Sequence, residues 1–279
     1  MLRDRVVTAV VLVGALLGAL FALPAIGWTA LAALILALGA WEWAGFVPAR
    51  PARRLAYAAL TTAVGVGAAG ATDLATGGTG TPLLVPCYGL AVAFWLGAVP
   101  FWLARQPAIA PPAAVLACGW IVLLPTFLAL VQLRNLQPVS LLLFLLVVWI
   151  ADIAAYFIGR RYGRRRLAPS VSPGKTWEGL AGALVATAVY ALIWIAVWRR
   201  YAPAIIRELG LAPLWMLLLV QALALLSVLG DLFESAMKRQ AGVKDSGRLL
   251  PGHGGVLDRI DALTSMLPAA ALASMVHRL

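Results

Sequence analysis

Residues 211–229 read LAPLWMLLLVQALALLSVL, a run without one charged side chain. An apolar run of this length is typical of a helix that crosses a lipid bilayer, which needs about 20 residues. The strands of a membrane barrel alternate polar and apolar residues, and this run does not alternate. The stretch therefore predicts a transmembrane α-helix.

The composition of the whole chain agrees with this prediction. Of 279 residues, 63% are hydrophobic and 12% are charged, whereas soluble domains carry about 25% charged residues. The net charge of +11 lies between long apolar runs and not on a polar surface, which argues against nucleic acid as a partner. The fold class expected is all-α, a polytopic integral membrane protein.

Further apolar runs predict about nine transmembrane helices in all. They cover residues 6–23, 25–46, 55–72, 83–103, 113–133, 139–158, 178–198, 211–237 and 256–276. Two parts are expected: a scaffold of helices in residues 1–140, with room for lipid or oligomer contacts, and a catalytic part in residues 141–279.

The distribution of basic residues predicts the orientation. A cytoplasmic N-terminus places most of the 22 lysines and arginines on the cytoplasmic side, as the positive-inside rule requires. The basic cluster at 199–207 is the exception.

Acidic residues concentrate between Asp152 and Asp261. In the eighth predicted helix, Asp231, Glu234 and Lys238 share one face, and Asp258 and Asp261 do so in the ninth. If these helices are antiparallel neighbours, both carboxylate faces converge at the cytoplasmic surface. Glu42 has no partner that its spacing identifies.

Such a cluster suits magnesium bound jointly with a phosphate substrate. Residues 251–255 read PGHGG, so backbone N–H groups there can approach a phosphate closely. Residues 172–179 read SPGKTWEG and offer Lys175, hydroxyls and a helix N-terminus to an anion. The combination predicts phosphoryl or nucleotidyl transfer.

Simpler interpretations stay open at several positions. Glu234 and Lys238 can form a plain helix ion pair, Asp152 can pair with an arginine of the next loop, and His253 can structure its loop. The basic run at 160–166 can set topology and touch anionic lipid heads.

A long motif in residues 235–261 resembles the phosphatidate cytidylyltransferase family. The matching positions are Ser235, Lys238, Arg239, Lys244, Asp245, Pro251, His253, Gly254, Gly255, Asp258, Arg259 and Asp261. A second match runs from Asp152, Tyr156 and Gly159 to Ser172, Pro173, Lys175, Thr176, Glu178 and Gly179, and a third is Gly230, Asp231, Glu234 and Ser235.

The resemblance implies a multi-pass enzyme of the bacterial cytoplasmic membrane that converts CTP and phosphatidate into CDP-diacylglycerol and pyrophosphate, with its site at the cytoplasmic face. It implies Mg²⁺ on Asp231 and Asp258 with Asp261 close by, and leaves open a second cation and a homodimer. The expected catalytic residues are Lys175, Ser235, Lys238, Arg239, Lys244, Asp245 and Arg259. The expected substrate-binding residues are Asp152, Ser172, Lys175, Thr176, Glu178, His253, Gly254 and Gly255.

Two other classes compete with this reading. A transporter also uses membrane acids and lysines, although its relays usually lie near the bilayer midplane. A CDP-alcohol phosphotransferase or an aromatic prenyltransferase needs Asp-Gly-x-x-Ala-Arg or Asp-x-x-x-Asp motifs, which this sequence does not contain.

Overall fold

A computed structural model describes residues 2–105, 111–201, 213–249, 252 and 254–276. Helices dominate this part of the chain. In chain order they are α1 (Leu2–Ala22), α2 (Ala25–Trp43), α3 (Pro51–Ala71), α4 (Leu84–Ala93), α5 (Val99–Arg105), α6 (Pro112–Leu136), α7 (Pro138–Tyr162), α8 (Trp177–Tyr201), α9 (Pro213–Gln240) and α10 (Leu257–Val276).

Helices α4 and α5 form one continuous rod, because a π-helical turn at Phe94–Ala98 joins them. The described helices therefore form nine rods, which correspond to the nine predicted segments. Six of the rods are long and apolar enough to cross a membrane: Ala25–Phe46, Leu84–Arg105, Pro112–Leu136, Pro138–Tyr162, Trp177–Val197 and Pro213–Gln240. For α1, α3 and α10 a membrane crossing stays a prediction.

The outward faces of the rods are apolar. Large hydrophobic side chains such as Ile26, Leu90 and Val185 are each more than 60% exposed. A water-soluble monomer rarely leaves such side chains in broad exposed patches. Lipid is the solvent that fits this surface, and the protein is a multi-pass membrane protein.

A short hairpin lies between α7 and α8 of this mostly helical chain, and no strand was expected there. Strand β1 (Arg166–Ala168) pairs antiparallel with β2 (Ser172–Thr176), so that Arg166 lies opposite Thr176. The strands have three and five residues, too few to show a hydrophobic alternation in the sequence. The backbone of β2 continues directly into α8, which fixes the position of Lys175 relative to that helix.

Helices α9 and α10 pack closely at Gly230. A Cβ atom at this position would lie 2.5 Å from the carbonyl oxygen of Asp261 and 2.6 Å from Oγ of Ser265. The Ser265 hydroxyl in turn donates to the carbonyl oxygen of Leu226 at 2.6 Å. Because the two backbones meet here, the polar residues that follow on α9 lie beside the start of α10.

Helix α9 is also anchored in an aromatic cluster. The ring of Phe233 packs edge-on against Trp95 and Trp102, with centroid distances of 5.5 and 5.4 Å. Such contacts add stability beyond the buried area. Helix α10 also packs against α4 and α6, so helices from both predicted parts of the chain contribute to one bundle.

Candidate active site

Lys175 and Asp231 join the hairpin to helix α9. The Lys175 ammonium lies 2.5 Å from Oδ2 of Asp231, and both side chains remain about a quarter exposed, at 25% and 30%. Ser235, one turn further along α9, donates to the other Asp231 oxygen at 3.2 Å. The carboxylate is thus accessible and already faces a cation.

Lys238 connects α9 to α10 in a buried position. Its ammonium lies 2.6 Å from Oδ1 of Asp258 and 3.3 Å from Oε1 of Glu234. The ion pair with Glu234 on the same helix, which the sequence left open, is present, and Asp258 completes a three-membered group. Because the Lys238 side chain is only 11% exposed, this lysine is a cross-link between helices in this state.

Asp258 organises the loop that precedes α10. Its Oδ2 atom accepts from the backbone N–H groups of Ser246 and Gly255, at 2.9 and 2.8 Å, and lies 3.0 Å from the Ser246 hydroxyl. Gly254, with φ of +81°, passes so close that a Cβ atom there would lie 2.6 Å from the same oxygen. Glycine is therefore required at residue 254 both by conformation and by space.

Glu234 and Asp261 form a second acidic pair between the helices. The two carboxylates lie close enough to act on each other electrostatically, and Glu234 is 3% exposed. Neither oxygen of Glu234 accepts a hydrogen bond from the described residues. Two adjacent carboxylates repel each other unless one of them is protonated or a cation lies close to both.

This observation bears on the predicted metal. Within the described ranges, no three His, Cys, Asp or Glu side chains are arranged closely enough to enclose a metal ion. The donor type nevertheless suits a hard divalent cation, because the buried oxygens of Glu234 accept no hydrogen bond within the described ranges and only the Lys238 ammonium, 3.3 Å from Oε1, faces them. The ammonium groups of Lys175 and Lys238 balance the charge of Asp231 and Asp258 in this structure.

Asp152 reaches the same cluster from α7. It lies within electrostatic range of Asp231, Lys175 and Arg259, so four separate elements contribute charged groups to one region. The open pairing of Asp152 with an arginine of the next loop is not among the described ion pairs; Arg160 of that segment donates to the hydroxyl of Tyr156 at 2.8 Å instead.

Two of the predicted substrate-binding residues make local structural contacts. Thr176 is 4% exposed, and its hydroxyl accepts the backbone N–H of Gly179 at 3.1 Å, which caps the first turn of α8. Glu178 accepts the backbone N–H groups of Arg164 and Arg165, at 3.0 and 3.3 Å. Both residues hold the hairpin against α8, and their contact with substrate stays a prediction.

The remaining predicted residues lie at the end of α9, in the loop after it and at the start of β2. Lys244 and Asp245 are exposed in the loop after α9, and Arg239 is an exposed residue whose Nη1 donates to the carbonyl oxygen of Val243 at 3.3 Å. Ser172 is half-buried at the start of β2. Pro251 and His253 lie outside the described residues.

Two residues at the site were not predicted from the sequence. Ser246, next to the matched Lys244 and Asp245, binds Asp258 through both its backbone and its hydroxyl. Glu42, on α2, accepts hydrogen bonds from Ser246, Val256 and Leu257. Position beside a motif could have indicated Ser246, but no local signal connects Glu42 to a loop about 200 residues away.

The fold is that of a multi-pass membrane protein in which charged groups of α7, the hairpin, α9 and α10 lie together. The sequence matches the profile of the cytidylyltransferase family over residues 3–277. The chain therefore belongs to the cytidylyltransferase family.

Full-length relatives support this membership. The chain is 38% identical over 283 residues to the phosphatidate cytidylyltransferase of Pseudomonas aeruginosa, which covers 97% of this chain and 96% of the relative. It is 36% identical over 286 residues to the phosphatidate cytidylyltransferase of Haemophilus influenzae, which covers 96% of each. The Brucella suis enzyme of the same name is 45% identical over 148 residues, about half of each chain.

Proposed function

We propose that this protein transfers the cytidylyl group of CTP to phosphatidate, giving CDP-diacylglycerol and pyrophosphate for phospholipid biosynthesis. One observation carries the proposal beyond the family name. Acidic and basic groups from α7, the hairpin, α9 and α10 converge in a bundle of otherwise apolar helices, as at the contact of Asp231 with Lys175. Such a cluster suits a reaction between two phosphate groups.

The reaction needs charge neutralisation more than proton transfer. A phosphate oxygen of phosphatidate, already an anion at neutral pH, attacks the α-phosphorus of CTP, and the bond from that phosphorus to the pyrophosphate oxygen breaks. No general base has to create the nucleophile. The main barrier is repulsion between anions, which positioned cations and hydrogen-bond donors lower.

The accessible cations are assigned to the substrates. Lys175 lies beside Asp231 and is partly exposed. Arg259 is exposed in the first turn of α10, and Lys244 is exposed in the loop after α9. These three side chains would bind phosphate oxygens and hold the two substrates in line. Lys238, which is buried between two carboxylates, would keep α9 and α10 in register.

A magnesium ion would be held by Asp231, Asp258 and Asp261, and the buried carboxylate of Glu234 adds a further oxygen ligand to this set. When bound, the ion would supply positive charge to the phosphates of CTP and to the leaving pyrophosphate. Asp258 can serve as a ligand only if the ion replaces one of its present hydrogen-bond donors. The shortest of these contacts is to the Lys238 ammonium, at 2.6 Å.

The proposed location is the bacterial cytoplasmic membrane, with the N-terminus and the site on the cytoplasmic side. The positive-inside distribution of the basic residues supports this orientation, and CTP is a cytosolic nucleotide. The acyl chains of phosphatidate would remain in the bilayer and approach the site laterally between helices.

A radiochemical assay of the purified protein tests the function. CTP labelled at the α-phosphate, phosphatidate and Mg²⁺ should give a labelled lipid, while CTP labelled at the γ-phosphate should leave all label in the aqueous phase. Chelation of the divalent cation should stop the transfer, and added Mg²⁺ should restore it. Absence of labelled lipid under all conditions would refute the function, and transfer unaffected by chelator would refute the metal requirement alone.

A further inference from the structure

Glu42 is a buried carboxylate of α2 that lies against the loop before α10. It is 1% exposed, and its oxygens accept from the backbone N–H groups of Val256 and Leu257, at 3.0 and 2.7 Å. These N–H groups belong to the N-terminal end of α10, where helical donors lack intrahelical partners and a negative charge is favourable. A third donor, the Ser246 hydroxyl, lies 3.0 Å from Oε2.

The loop is shaped to admit this carboxylate. A Cβ atom at Gly255 would lie 2.5 Å from either oxygen of Glu42, and one at Gly247 would lie 2.8 Å from its Cδ atom. Both positions therefore need glycine while Glu42 is in place. Among the described ion pairs none includes Glu42, so its charge is balanced by hydrogen-bond donors and by the helix terminus.

Helix α2 provides a fixed base for this contact. The indole N–H of Trp43, the residue after Glu42, donates to the carbonyl oxygen of Val115 at 2.8 Å in a buried position. Arg54 donates to the carbonyl oxygen of Trp41 at 3.0 Å. The end of α2 is thus tied to α6 and α3, and Glu42 has little freedom to follow the loop.

Asp258 binds neighbouring donors of the same loop and shares one of them, the Ser246 hydroxyl, with Glu42. The backbone N–H groups of Ser246 and Gly255 bind Asp258, and the Ser246 hydroxyl lies 3.0 Å from an oxygen of each carboxylate. A hydroxyl has one proton, so it can donate to one of the two at a time. The positions of Asp258 and of the loop are therefore linked through Ser246 to Glu42.

We infer that Glu42 is a positioning residue: it holds Ser246 and the segment Val256–Leu257 in place and thereby sets the position of Asp258 in the site. This inference gives the N-terminal helices a direct part in the chemistry of the C-terminal half. Its catalytic consequence rests on the proposed function, whereas its structural consequence, a restrained loop, does not.

The test compares Glu42→Gln with wild type in the full-length purified protein. The first readout is limited trypsin cleavage after the exposed residues Lys244 and Arg248, located by mass spectrometry. Loss of charge-assisted hydrogen bonds at the loop should raise the cleavage rate roughly tenfold. The second readout is CDP-diacylglycerol formation, in which kcat should fall about tenfold or more while KM for phosphatidate changes little.

Matched variants make the result specific. Thr29→Val changes another buried polar residue of α2, whose hydroxyl has no hydrogen-bond partner among the described residues, and it should leave both readouts unchanged. Glu42→Asp keeps the charge and should fall between Glu42→Gln and wild type. If Glu42→Gln fails to fold, Gly247→Ala disturbs the same contact from the loop and should release the loop and lower kcat.

The outcomes separate the two hypotheses. Faster cleavage together with lower kcat supports the inference. Unchanged cleavage in Glu42→Gln overturns it, and so does faster cleavage with an unchanged kcat. If the wild-type protein forms no CDP-diacylglycerol, the proposed function fails, while the cleavage comparison still decides whether Glu42 restrains the loop.

Discussion

Replacing Lys238 with methionine should destabilise the protein, because it leaves two carboxylates without their shared cation. The Glu234 and Asp258 side chains are 4% and 6% exposed. Removal of one partner from a buried ion pair costs about 3–5 kcal/mol. Glu234 retains no hydrogen-bond donor among the described residues, so the loss should come mainly from this carboxylate. Because Asp258 keeps its donors from Ser246 and Gly255, we expect a loss near the lower end of this range, about 3 kcal/mol.

The free energy of unfolding can be measured by reversible denaturation in mixed detergent micelles. Lys238→Met/Glu234→Gln removes the orphaned charge together with the lysine and should recover about 1–2 kcal/mol relative to Lys238→Met, within the usual range for coupled neighbours. Arg239→Met, at the exposed neighbouring position, should stay within about 0.5 kcal/mol of wild type. A Lys238→Met variant as stable as wild type would refute the role of Lys238 as a cross-link between helices. Lys238 would then join Lys175, Lys244 and Arg259 as a candidate for phosphate binding.

Three further changes test separate parts of the account. Gly230→Ala should lower the free energy of unfolding by about 1–3 kcal/mol, because the added Cβ atom would push α9 away from α10. Gly89→Ala, at a position where no heavy atom lies within 4 Å of the added Cβ atom, should not destabilise the protein. Equal stability of the two variants would contradict the close packing. Lys244→Ala should lower the transfer rate by about 10²–10³ without loss of stability; an unchanged rate would remove this residue from the site. Lys175→Met should also lower the transfer rate without changing the free energy of unfolding. A loss of stability with an unchanged rate would mean that the pair of Lys175 and Asp231 is structural.

Much of the fold was predictable because a bilayer imposes a simple rule on sequence. Each membrane-crossing helix needs a long apolar run, and six of the described helices are long and apolar enough to cross. The hairpin of β1 and β2 was not predictable, because its strands are too short for a periodic pattern and lie among arginines and prolines. The π-helical turn at Phe94–Ala98 likewise leaves no mark in an apolar run that fits an unbroken helix.

The site was predictable where its geometry is local. Helical spacing placed Asp231, Glu234 and Lys238 on one face, and the contact of Lys238 with both Glu234 and Asp258 agrees with the expected convergence of α9 and α10. Contacts that depend on tertiary packing were beyond reach. The pairing of Lys175 with Asp231 needs the hairpin, and the role of Glu42 needs α2 to lie beside a loop far away in sequence.

The most direct measurement of the central claim is the initial rate of CDP-diacylglycerol formation by Asp231→Asn and by Asp73→Asn. Both substitutions replace one carboxylate by an amide. Asp73 is exposed with φ of 60°, a conformation that asparagine tolerates well, so Asp73→Asn should retain the wild-type rate. Asp231→Asn should lose Mg²⁺-dependent transfer while it remains folded and inserted. Near-wild-type transfer by Asp231→Asn would contradict the claim that the carboxylate beside Lys175 belongs to the catalytic site.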